Sequence, residues 1–127
     1  MIRSALTAFA LDVVLVTLFA AVGRASHDSA PFGIGLATTA WPFLAALAVG
    51  WLVTLAWPRP AAPVRTGLGV WAITVAGGML LRAASGQGTA LPFIIVATLT
   101  LLLFLVGWRV IATLVQARRR AAASARS

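Results

Sequence analysis

Four long apolar runs govern what this chain of 127 residues can become: about Ser4 to Val22, Leu36 to Trp57, Gly67 to Leu81 and Leu91 to Val115, broken only by Asp12 and Arg109. A helix needs about 20 apolar residues to cross a hydrocarbon core about 30 Å thick. Within lipid the backbone must bond to itself, so a continuous apolar run of that length crosses as a helix. With 9% charged residues, against about a quarter in soluble domains, and a mean hydropathy of +1.02, an ordinary soluble domain is excluded. The reading is an all-α integral membrane four-helix bundle in one domain, residues 1–127, with helices at about 4–22, 36–57, 67–82 and 91–115 and a short basic C-terminal tail. The third run is short: the uncharged stretch between Arg65 and Arg82 spans about 24 Å at 1.5 Å per residue, so Arg82 is expected at a helix end, reaching for the headgroups.

All ten basic residues are arginine, and their placement predicts orientation. With a cytoplasmic N-terminus, Arg3, Arg59, Arg65, Arg118, Arg119, Arg120 and Arg126 fall inside, while only Arg24 and Arg82 fall outside. That asymmetry predicts that both termini are cytoplasmic, and the arginine-only, alanine-rich composition resembles that of a GC-rich prokaryotic genome, so a multi-pass protein of a prokaryotic plasma membrane is expected. The net charge of +8 does not point to nucleic acid, because the arginines are scattered between apolar runs instead of lining one soluble face. The ARRRAAASARS tail, with Arg118, Arg119 and Arg120, suits anionic lipid at the inner surface. Trp57, Trp71 and Trp108 are placed near inner helix ends and Trp41 near an outer one, as an interfacial aromatic belt requires, with Trp51 deeper as a packing residue. A competing reading of the first run is a cleaved signal peptide ending at AAVGRAS. The aspartate inside the run and the regular charge alternation favour a retained span.

The connections differ in character. GRASHDSAPFGIG carries the only histidine, His27, beside Asp28; WPRPAAPVR is stiffened by three prolines; ASGQG is a tight glycine turn. Thr38 or Thr39 is expected to cap the second helix, which puts Pro42 in its first turn. Ala46 and Gly50 on helix two, and Ala72, Ala76, Gly77 and Gly78 on helix three, supply small faces for helix packing.

Chemistry centres on Asp12, near the middle of the first span. An ionised carboxylate at that depth costs at least a few kcal/mol, so it must be protonated, paired or facing water. Arg24 lies about 18 Å away along the same helix, and Arg109 is assigned to the inner surface beside Trp108. Arg82, about 10 Å above the midplane by its place in the run, is therefore the expected partner, with Thr74, Thr98 and Thr100 as alternative donors. Arg24, His27 and Gln87 are the candidate polar residues of the outer face; Arg109, Arg118, Arg119 and Arg120 are the inner-face and lipid-binding candidates. There is no cysteine, and one histidine with two distant acids makes no metal site. No hydrolase triad or nucleotide loop is present, so no catalytic residue, no cofactor and no enzymatic activity is expected.

The phrases GRASH, TAWPFL, GWL, VW, GMLLR, GQGTA and LFLVGWR together resemble an uncharacterised family, a domain of unknown function, of small four-helix prokaryotic membrane proteins common in actinobacteria and haloarchaea. The resemblance runs from about Asp12 to Arg109. It implies a multi-pass membrane protein with no assigned activity, and it adds Trp41 and Pro42 to the positions of interest. Small multidrug transporters offer a looser analogy in length, helix number and an acid in the first helix, without homology.

Two functions are open at this point. In the first, the protein is a small-solute or proton-linked transporter or channel that uses Asp12, assembled as a homo-oligomer because four helices enclose little space. In the alternative it is a non-transporting structural or accessory membrane protein, in which Asp12 and the arginines only stabilise helix packing.

Overall fold

The computed structural model describes residues 2–26 and 33–126, and among these there are helices and no strand. The helices are α1 (Ile2–Ser26), α2 (Ile34–Thr54), α3 (Pro63–Ala84) and α4 (Leu91–Arg126), and each is long and apolar enough to cross a membrane. They alternate in direction, so the turn between α3 and α4 and the start of α2 share one end of the bundle with Arg24. The α2–α3 connection packs at the other.

Local chemistry explains the helix limits. Leu55 ends α2 in a left-handed conformation (φ 50°), where Ala56 N–H returns to Trp51 O at 3.2 Å, and Pro58 just beyond forbids continuation. Pro63 and Pro92 sit in the first turns of α3 and α4, where a missing N–H costs little. Residues Pro63–Leu68 of α3 and Leu102–Val106 of α4 form wider π-helical turns, and these two segments pack against each other. Because α3 starts at Pro63, upstream of the expected position 67, the third span reaches 22 residues and is no longer short. The stretch expected as a basic tail is helical, since nothing between Gly107 and Arg126 breaks the pattern.

Pro42 lies inside α2 and not in its first turn, because the helix begins at Ile34. Thr38 does not cap it; its hydroxyl donates to Ile34 O at 3.0 Å. A proline cannot bond the carbonyl four residues back, and that carbonyl, Thr38 O, instead accepts from the Gln87 amide at 3.0 Å. One break in the α2 ladder thus becomes the tie between α2 and the α3–α4 turn.

The core is built on α2 against α3. Val70, Thr74 and Gly78 form the buried stripe of α3, while Ala72 and Ala76, expected there, face outward. Gly78 is required by close approach: a Cβ at that position would overlap the ring of Phe43. Phe43 meets Phe19 edge to face at 5.3 Å between centroids and tilts against Phe93 at 6.2 Å, so one aromatic cluster joins α1, α2 and α4. Trp51 holds Phe9 and Trp57 edge to face at 5.1 Å and 5.0 Å nearer the other end.

Candidate functional site

Asp12 is the eleventh of 25 residues in α1, and it is completely buried. Its carboxylate is held on every side. Arg109 Nη2 donates to Oδ2 at 2.6 Å and Nη1 to Oδ1 at 3.0 Å, a two-pronged ion pair. Trp51 Nε1 donates to Oδ2 at 2.9 Å and Trp108 Nε1 to Oδ1 at 2.8 Å. A carboxylate offers about four lone-pair sites, and four donors occupy them.

Arg109 is equally committed. Besides Asp12, its Nη1 donates to Leu105 O at 2.7 Å and its Nε to Pro60 O at 2.8 Å. Its guanidinium also lies 4.6 Å from the Trp108 ring centroid. Pro60 is brought inward by the folded α2–α3 connection, which Thr66 Oγ1 pins by donating to Arg59 O at 2.5 Å. Gly67 leaves room for the arginine stem: a Cβ there would stand 3.1 Å from Arg109 Cδ. The site therefore joins α1, α2 and α4 with the α2–α3 connection in one buried polar knot of zero formal charge.

The pairing differs from the one expected between Asp12 and Arg82. Arg82 does not reach Asp12; it turns to its own end of the bundle, where Nε donates to Gly88 O at 2.9 Å and Nη1 to Gln87 Oε1 at 3.0 Å, with the guanidinium 4.3 Å from the Phe93 centroid. Arg109, assigned to the inner face from its place in the sequence, is the partner. The reason is side-chain direction. Helical Cα–Cβ bonds tilt toward the helix N-terminus, and α4 runs toward the end that holds the α2–α3 connection. Arg109 thus leans back along α4, over Leu105, into the bundle. Taking 1.5 Å per residue from the opposite helix ends, Asp12 lies about 21 Å deep and Arg109 about 27 Å, and the arginine side chain closes that gap.

The threonines do not serve Asp12. Thr98 Oγ1 donates to Ile94 O at 2.6 Å, and the Thr74 hydroxyl is buried without a hydrogen-bond partner among the described residues. Trp51 and Trp108 are the residues missed. Position in the sequence alone places Trp51 in packing and Trp108 in an interfacial belt, yet both are donors to Asp12. The available signal is an indole N–H, which seeks a partner when buried, in a chain with only two carboxylate side chains. Trp71 also turns inward, donating to Thr98 O at 2.9 Å.

The candidate outer-face residues cluster at the opposite end. Arg24 Nη1 donates to Thr39 Oγ1 at 3.1 Å, and Arg24, Arg82 and Gln87 share the wall of one cavity. His27, the remaining candidate there, and Asp28 lie outside the described residues. Arg118, Arg119 and Arg120 are exposed on the last turns of α4, apart from both sites.

Chemically, the Asp12 site is suited to holding and not to exchanging. A carboxylate saturated by a guanidinium and two indoles has no lone pair left for a proton or a cation unless the pair first breaks. No group of three or more His, Cys, Asp or Glu among the described residues is placed to hold a metal.

A family model described as "Protein of unknown function (DUF3054)" matches residues 9–112, a span that holds Asp12, Trp51, Trp108 and Arg109 as well as Arg24, Arg82 and Gln87. No curated protein and no solved structure matches the chain.

Proposed function

As the chain belongs to the DUF3054 family, which carries no assigned activity, we propose from its geometry that it is a non-transporting, multi-span protein of the prokaryotic plasma membrane, in which Asp12 and Arg109 fasten the helices together. The saturation of the Asp12 carboxylate by four donors carries this reading. A proton- or cation-coupled carrier needs an intramembrane acid that loads and releases its cargo from a wet path. Asp12 is completely buried, and Phe19 and Phe43, packed against Phe93, are buried between it and the other end. Both features favour an accessory or binding role over conduction through one chain.

Orientation and assembly belong to the same proposal. Seven arginines at the end that holds both termini, against Arg24 and Arg82 at the other, support cytoplasmic termini. The basic turns of α4 at Arg118, Arg119 and Arg120 support contact with anionic lipid. A homo-oligomer would cover part of the apolar surface that α4 exposes at Ile111 and Leu114. No catalytic role is assigned to any residue.

The test uses the purified full chain in liposomes containing a trapped pH-sensitive dye and an imposed pH gradient. The gradient should decay as in protein-free vesicles, both for the native protein and for Asp12→Asn. Protein-dependent decay that disappears in a folded Asp12→Asn variant would overturn the proposal and restore Asp12 as a transport group.

A further inference from the structure

At the end of the bundle away from Asp12, a cavity of about 620 Å³ opens among all four helices. That volume lies within the range of about 300–1,000 Å³ usual for small-molecule sites. Its walls are divided by chemistry: Arg24, Arg82 and Gln87 stand at the rim, while Phe19, Phe93 and Val96 line the apolar part. None of its described lining residues is acidic.

Arg82 is built to receive an anion. Its Nε and Nη1 are bound to Gly88 O and Gln87 Oε1, and its face lies on Phe93, so the guanidinium is fixed before any ligand arrives. Gln87 is itself held by its amide to Thr38 O on α2. The Nη2 group of Arg82 makes no hydrogen bond among the described residues. A pre-oriented guanidinium with a spare edge, in the last turn of an apolar helix, matches the donor geometry that binds phosphate. The arginine of α1, Arg24, tethered to Thr39, adds a second positive charge on the same wall.

We infer that this cavity binds a phosphate-ester lipid, with the phosphate on the spare Nη2 edge of Arg82 beside Arg24 and an acyl chain against Phe19, Phe93 and Val96. The apolar wall is the reason for choosing a lipid over free phosphate, since an inorganic anion would leave that surface unused. The inference is independent of Asp12, which lies about 10 Å further along α1 than Phe19 and does not line the cavity.

Native mass spectrometry on the full chain in detergent tests it, with three probes added separately: dioctanoyl phosphatidylglycerol, dioctanoylglycerol and inorganic phosphate. Phosphatidylglycerol should bind about tenfold more tightly than either of the others, the factor expected from one hydrogen bond to a charged group. Arg82→Gln should remove that advantage, and a triple change of Arg118, Arg119 and Arg120 to Gln should leave it. Gly23→Leu gives a second variant that spares both arginines. Gly23 lines the cavity, and a Cβ there meets nothing within 4 Å, so the change should fold, fill the space and weaken phosphatidylglycerol binding. Equal binding of dioctanoylglycerol would remove the arginine from the site, and equal binding of inorganic phosphate would make it a free-anion site; either overturns the inference. Loss of binding on changing the α4 arginines, with Arg82→Gln and Gly23→Leu unaffected, would likewise overturn it.

Discussion

Breaking the ion pair from one side should cost far more than removing it from both. Asp12→Asn replaces one acceptor oxygen with an NH2 group. That group must face donors already aimed at it, Trp51 Nε1 and Arg109 Nη2 on one side or Trp108 Nε1 and Arg109 Nη1 on the other. It also leaves a fully buried guanidinium without its counter-charge. Loss of one partner of a buried pair costs about 3–5 kcal/mol, and Arg109→Met, which strands the carboxylate on two indoles, should cost a similar amount. In the double variant both charges are gone, and an amide oxygen remains to accept from an indole. The Pro60 and Leu105 carbonyls lose a donor, at about 1 kcal/mol each. The double variant should therefore be no less stable than either single variant, giving a coupling energy of about 3 kcal/mol or more. Reversible unfolding in mixed micelles, followed by tryptophan fluorescence, measures all four corners of the cycle, and Trp51 and Trp108 report on the site directly. Additive single costs, with coupling within about 0.5 kcal/mol of zero, would show that Asp12 and Arg109 do not form a mutually dependent pair and would refute the reasoning.

Four further outcomes follow from other contacts and are checked by the same unfolding measurement. Trp108→Phe removes one donor to Asp12 Oδ1 while keeping an aromatic ring beside Arg109, and it should cost about 1.5–3 kcal/mol, as expected for a hydrogen bond to a charged group. Gly78→Val would drive a side chain into the buried Phe43 ring and should cost about 1–3 kcal/mol, whereas Ala76→Val, on the outward face of α3, should be within about 0.5 kcal/mol of neutral. Gln87→Ala leaves the carbonyl freed by Pro42 without its donor and should cost about 1 kcal/mol; in a background where Pro42→Ala restores a backbone N–H, that cost should shrink. Thr74→Val removes a buried hydroxyl with no partner among the described residues and should leave stability unchanged or raised, with a loss above about 1 kcal/mol counting against the description of that site.

The one-dimensional pattern of this chain was informative about whatever depends on summed transfer free energy. Apolar runs with few charges must cross lipid as helices, so the all-α character and four helices apolar enough to span were legible before any coordinate. Asp12 stood out for the same reason, as a charge at an expensive depth. That the chain belongs to an uncharacterised family was also legible, through a resemblance running from about Asp12 to Arg109, most of the span that the family model matches.

Pairing was not legible, because depth along a helix resolves position only to about the length of a side chain, and rotation about the axis is unresolved in a chain that is apolar all round. Arg82 and Arg109 were both within that uncertainty of Asp12. Only the tertiary structure decided between them: α4 points its arginine back toward Asp12, the folded α2–α3 connection supplies the Pro60 carbonyl, and two tryptophans complete the shell. The same holds for Pro42 and Gln87, 45 residues apart, whose relation exists only because the α3–α4 turn lies against the gap that Pro42 opens in α2. Burial in lipid is a sum over residues and can be read along a line. Satisfaction of a buried polar group requires a partner in a particular direction, and direction is set only when the helices have packed.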